Sequence, residues 1–130
     1  MSAYPATRLR RMRRTAWSRA LVRETSLAPS DLIWPLFLID GENERSAIAT
    51  LPGVERLSVD LAVAAAKEAV ALGSPALALF PNTPDARRNP EASEAYNPGN
   101  LMCRALAAIK SAAPDIGLIA DVALDEYSSD

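Results

Sequence analysis

The 130-residue sequence has no histidine and one cysteine, Cys103. Without imidazoles, and with a thiol that has no partner in the chain, it can build neither a thiolate or imidazole metal centre nor a disulfide framework. A reducing, cytoplasmic setting fits that usage. Aromatic residues make up 5% of the chain, few for the stacking platforms that single-stranded nucleic acid needs. No apolar run approaches the roughly 18 residues of a membrane span, and no apolar segment of a secretory signal follows the arginine-rich start. Lysine is scarce too: Lys67 and Lys110 are the two, each inside a segment whose spacing predicts a helix.

What is present is a chain of 49% hydrophobic and 23% charged residues, the composition of about one soluble globular domain. The net charge of -2 conceals an asymmetry. Arg8, Arg10, Arg11, Arg13, Arg14, Arg19 and Arg23 all precede the first acid, Glu24, so the remaining seven basic residues face sixteen acids and that part carries -9. A basic arm, residues 1–31, is thus joined to an acidic body, residues 32–130. Such an arm can neutralise phosphates or dock on an acidic neighbour. With an acidic body and few aromatics, self-association is expected, with neither nucleic acid nor a membrane as partner. The acid-free, arginine-rich start also has the composition of an organellar transit peptide.

Trp17, Ala20 and Leu21 predict a short amphipathic helix over 15–24. Pro29-Ser30-Asp31 marks a turn, and the apolar run 32–39 predicts a strand, with Pro35 placing its regular part at 35–40. Residues 41–57, broken by Pro52-Gly53, are expected to be a loop. Ser58 is placed to cap a helix that runs to Leu72 and stops at Gly73. Residues 75–80 predict a second strand. The connection 81–99 carries four prolines with Arg87, Arg88, Glu91 and Glu94, a length more often functional than idle. Met102, Ala105, Leu106, Ile109 and Ala113 keep helical rhythm up to Pro114, and 116–124 predicts a third strand. Strand, helix, strand, helix, strand with short returns implies an α/β fold built on a parallel sheet with right-handed crossovers.

Asp121 and Asp125 interrupt the last apolar run. An ionised carboxylate near a core is costly unless it has partners or a task, so the end of that strand is the candidate site. A structural, hydrogen-bonded aspartate and a polar turn are the plainer alternatives.

Phrases in fixed order carry a resemblance: Arg8-Leu-Arg-Arg-Met-Arg-Arg14, Leu21-Val-Arg-Glu-Thr25, Asp31-Leu-Ile-Trp-Pro-Leu-Phe37, Leu51-Pro-Gly-Val54, Arg56-Leu-Ser58, Ala78-Leu-Phe80, Ser93-Glu-Ala-Tyr-Asn-Pro98, Ala108-Ile-Lys110 and Asp121-Val-Ala-Leu-Asp125. The sequence resembles the amino-terminal part of the porphobilinogen synthases, also called delta-aminolevulinic acid dehydratases. The resemblance implies the first three strands and two helices of a TIM-type (β/α)8 barrel, incomplete in this chain, after an extended arm that embraces a neighbouring subunit in a homo-octamer. It implies condensation of two 5-aminolevulinate molecules to porphobilinogen in haem and other tetrapyrrole synthesis, by lysines that form Schiff bases and no organic cofactor.

By the same resemblance, Asp121 and Ser129 match active-site positions. Ala123 and Asp125 stand where the zinc-dependent branch carries cysteines, so no zinc site is expected and Asp125 becomes a candidate ligand for magnesium, a cation suited to oxygen donors. Glu126 and Asp130 depart from the family's usual proline, tyrosine, threonine, serine and histidine-glycine run. The Schiff-base lysines are expected beyond residue 130, leaving these residues inactive alone. Two other functions fit the residues: a non-catalytic assembly module that joins full-length subunits, and a polyanion binder that uses the arm.

Overall fold

A computed structural model describes residues 3–129. In chain order it contains α1 (Ala16–Leu21), β1 (Ile33–Leu38), β2 (Arg45–Ala47), β3 (Glu55–Leu57), α2 (Val59–Leu72), β4 (Ala76–Pro81), α3 (Leu101–Ala112) and β5 (Gly117–Ala120). Short 3-10 turns at Arg11–Arg13, Pro29–Asp31, Asp85–Arg87 and Ser93–Tyr96 mark bends between them. The expected α/β alternation is present, in a sheet of order β2-β3-β1-β4-β5.

The start of α3 and the end of α2 follow local chemistry. Asn100 accepts a 2.8 Å hydrogen bond from the Cys103 amide at the start of α3. At the end of α2, Gly73 adopts φ 82°, a left-handed conformation open to glycine at little cost. Ser58 departs from expectation. It stands at the N-cap of α2 without a side-chain cap bond. Its hydroxyl instead accepts from the Glu44 amide at 3.0 Å and donates to Asp60 at 2.6 Å. Asp60 also accepts from the Asn43 amide, so the cap residue ties the turn after β1 to the helix start. That hydroxyl, together with the backbone amides, holds the Asp60 carboxyl below its ordinary value.

Strand registers correct three boundaries. The first strand begins at Ile33, ahead of Pro35. β4 pairs with β1 along its whole length, whereas β3 joins the other flank at Phe37, so Pro35 lies where one flank has no ladder to interrupt. Residues 41–57, expected to be a loop, contain β2 and β3, an antiparallel pair of three residues each that makes the sheet mixed. The third strand stops at Ala120 rather than Leu124, its ladder with β4 running only from the Ala76/Gly117 pair to the Leu79/Ala120 pair. Beyond that point Val122 is 91% exposed. In the arm, the expected helix 15–24 closes to six residues.

Both long helices pack on one face of the sheet. Ala62, Ala65, Ala66 and Ala69 of α2 recur at helical spacing and are buried. Their small side chains let the helix approach the strands and α3 closely. Leu36, Leu38, Leu77 and Leu79 meet them from the sheet, and Leu101, Met102, Ala105 and Ile109 from α3. The register sets Ile33, Pro35 and Phe37 beside Ala76, Ala78 and Phe80, with Gly117 and Ile119 next, on the opposite face. Gly117 is required there: an added Cβ would lie 3.1 Å from the Ala76 Cβ and 3.2 Å from the Pro75 carbonyl oxygen. No helix among the described residues is long and apolar enough to cross a membrane.

Candidate active site at the strand carboxyl ends

Parallel strands β1, β4 and β5 present their carboxyl ends along one edge, where open α/β sheets place their ligands. Three segments leave that edge: Asp40 after β1, the connection 82–100 after β4, and the tail 121–129 after β5. The connection and the tail are joined through backbone, the Asn89 amide donating to the Tyr127 carbonyl and the Ser129 amide to the Asn89 carbonyl, each at 3.3 Å.

Between them lies a cavity of about 370 Å³ lined by Asp85, Arg88, Asp125, Ser128 and Ser129. Asp125 and Ser129, far apart in chemistry and four residues apart in sequence, are thereby brought to one hollow. Asp121 is not part of that lining. Both aspartates are exposed, so neither is the core-embedded carboxylate that an unbroken strand would have made. Arg88 reaches back to the Thr83 carbonyl at 3.1 Å and lies 3.9 Å from Asp85. Larger hollows, about 570 and 630 Å³, are lined wholly by arm residues such as Arg8 and Arg10 or Arg19 and Arg23. They lack the strand ends that converge on the smaller one.

The most perturbed group at this edge is Glu126. Its Oε2 is buried without a hydrogen-bond partner. Burial first, and then the charges of Asp121 and Asp125, push its carboxyl up to about 7, against the pull of Arg88. The adjacent Tyr127 is buried, and its phenol is raised by burial and by Glu126. Asp121 therefore enters the site through its field on Glu126. Sequence reasoning marked Glu126 only as a departure; its spacing to Asp121 and Asp125 was the available signal. Asp130, the other departure, lies outside the described residues.

A second charged group sits beside the cavity. Asp40 pairs with Arg104 of α3 and, at 3.4 Å, with Arg87, which also reaches Glu94 at 3.5 Å. Arg87 and Glu94 were noted in the proline-rich connection. Asp40 and Arg104 carried no pattern, because 64 residues separate them.

Asp125, the candidate magnesium ligand, shares its hollow with Asp85 and the cation of Arg88. No group of three His, Cys, Asp or Glu side chains able to hold a metal ion occurs among the described residues. These residues do not by themselves fit a resident divalent cation. Lys67 and Lys110 are exposed on helices, and Lys110 is engaged, donating to the Ile116 carbonyl at 2.8 Å.

Parallel strands whose carboxyl ends gather acids, an arginine and a serine hydroxyl around a hollow define an α/β protein with its candidate site at the strand ends. The family model for delta-aminolevulinic acid dehydratase matches residues 6–130. The Bradyrhizobium diazoefficiens enzyme of that name is 56% identical over 124 residues, 95% of this chain and 35% of its own. The Chlamydia pneumoniae enzyme is 42% identical over 122 residues, 94% of this chain and 37% of its own. A crystal structure of the Toxoplasma gondii ME49 enzyme (porphobilinogen synthase), in complex with the reaction product porphobilinogen, superposes with a TM-score of 0.86 at 44% identity, covering 95% of this chain and 35% of that one. The chain belongs to the delta-aminolevulinic acid dehydratase family. It spans about a third of the length of the curated relatives it matches.

Proposed function

We propose that the chain provides the amino-terminal third of a porphobilinogen synthase, an enzyme of tetrapyrrole synthesis that joins two 5-aminolevulinate molecules. The observation that carries this is the family match over residues 6–130 together with the strand-end cavity that holds Asp125 and Ser129. In this reading β1, β4 and β5 are the first three strands of a (β/α)8 barrel. Their advance in one direction, with both long helices on one face, supports it, since a barrel keeps its helices outside.

5-Aminolevulinate carries a carboxylate and an ammonium group. Arg88 attracts the first, Ser129 orients it by hydrogen bonding, and Asp121 and Asp125 supply negative charge for the second. The Schiff-base lysines come from outside these residues, because Lys67 and Lys110 stand on helices rather than at strand ends. Magnesium at Asp125 needs donors from outside as well. The basic arm, 1–31, serves self-association into the family's octamer: Trp17 and Leu21 of α1 are 67% and 72% exposed, an apolar edge for an acidic second copy to cover. A cytoplasmic setting accompanies this reading.

The test is a chimera joining residues 1–130 to the remaining two thirds of the Bradyrhizobium relative, assayed for porphobilinogen formation from 5-aminolevulinate. The chimera is expected to turn over, with Asp121→Asn and Ser129→Ala each lowering kcat/KM by about 100-fold. The 130-residue chain alone is expected to form no product. Turnover by that chain alone, or a chimera of native size and no activity, overturns the proposal.

A further inference from the structure

We infer that Asp40 is a positioning residue: its ion pairs with Arg87 and Arg104 fix the 82–100 connection so that Arg88 lines the strand-end cavity and Asn89 holds the tail that lines it from the other side. This rests on the reading that the cavity belongs to the synthase site. Asp40 follows β1 directly, and its side chain is 30% exposed. Two guanidinium groups from different elements converge on its two oxygens, Arg87 from the connection and Arg104 from the first turn of α3. Each arginine has a second anchor: Arg87 Nη1 lies 3.5 Å from Glu94, and Arg104 Nε donates to the Gly99 carbonyl at 3.1 Å. The carboxylate therefore ties the strand edge to the connection at Arg87 and, through Arg104 and the Gly99 carbonyl, to its far end.

The consequence is transmitted through few bonds. Arg87 closes the 3-10 turn Asp85–Arg87, and Arg88 follows it into the cavity lining. Asn89, one residue on, holds the tail through both of its backbone groups. A shift at Arg87 thus moves Arg88 and loosens Tyr127 and Ser129 together. Both arginines are about half exposed, so the network contributes little to global stability. Its role is in where the segment lies.

The experiment has two readouts. In the 130-residue chain, Asp40→Asn is expected to speed amide exchange at Asn89 and Ser129 about 10-fold while leaving Leu77 and Leu79 unchanged, and Asp40→Glu is expected to restore most of the protection. In the chimera, Asp40→Asn is expected to raise KM about 10-fold with a smaller change in kcat, again recovered by Asp40→Glu. Unchanged exchange at Asn89 and Ser129, or exchange that rises equally at Leu77 and Leu79, overturns the positioning role. An inactive unsubstituted chimera refutes the synthase reading alone, because the exchange experiment still decides whether Asp40 orders the connection and the tail.

Discussion

The two faces of the sheet are made by the same strands and differ in what they meet. Leu77 and Leu79 of β4 are fully buried against α2 and α3. One residue away along neighbouring strands, Ile33 and Ile119 are 53% and 47% exposed. The open face is not polar: Phe37 and Phe80 stack there with centroids 5.5 Å apart. Strands apolar on both faces belong to sheets buried on both. The contrast teaches that this sequence specifies more burial than the described residues provide, which is what a sheet needs if its second face lines a closed barrel.

The sharpest way to test the contrast is to cut into the covered face. Leu77→Ala removes a side chain packed on all sides and leaves a cavity, with an expected loss of about 3 kcal/mol in urea unfolding. A loss below about 1 kcal/mol would mean that the covered face is loosely packed and that the two faces are equivalent.

The tail at the strand ends lies between these extremes, and its prediction is one of pH. The Glu126 carboxyl is raised from 4.5 to about 7 in the folded chain. The folded state therefore keeps a proton that the unfolded chain releases, and stability is complete at low pH and falls as pH rises from about 4.5 to about 7. The side chain is partly exposed, and solvent screening discounts the effect to about 1 kcal/mol. Glu126→Gln is expected to flatten this slope, measured as the difference in unfolding midpoint between pH 5 and pH 8. A slope that survives the substitution would assign the titration to another group.

Legibility in the sequence followed the range of the interaction. The extent of α2 was readable because a closing Gly73 is a local signal, and that of α3 because its apolar rhythm runs up to Pro114. β2 and β3 were missed. Three residues cannot display a period, and they are strands only because each finds the other and β1. The last strand was drawn too long because Val122, Ala123 and Leu124 are apolar, while its ladder with β4 ends at Ala120. At the site, Asp125 and Ser129 were named and do share a hollow. The Asp40 pairs arise from tertiary approach, which no spacing in the sequence announces, and the burial of the Glu126 oxygen does too, although its acidic neighbours were in view.

The smallest effect makes the most discriminating test. Ile119→Ala removes a side chain of similar size to Leu77 from the neighbouring strand. Half of it already faces water, and among the described residues both long helices lie on the other face, so the transfer term is halved and the cavity term vanishes. The expected loss is under about 1 kcal/mol for the 130-residue chain, a fraction of that for Leu77→Ala. In the chimera the same substitution is expected to cost about 2 kcal/mol, because the remaining strands would close over this face and bury the residue fully. If both proteins lose the same small amount, the open face stays open and the barrel assignment of β1, β4 and β5 falls. If the short chain already shows the larger loss, a second copy covers the face in solution, and that loss then depends on protein concentration.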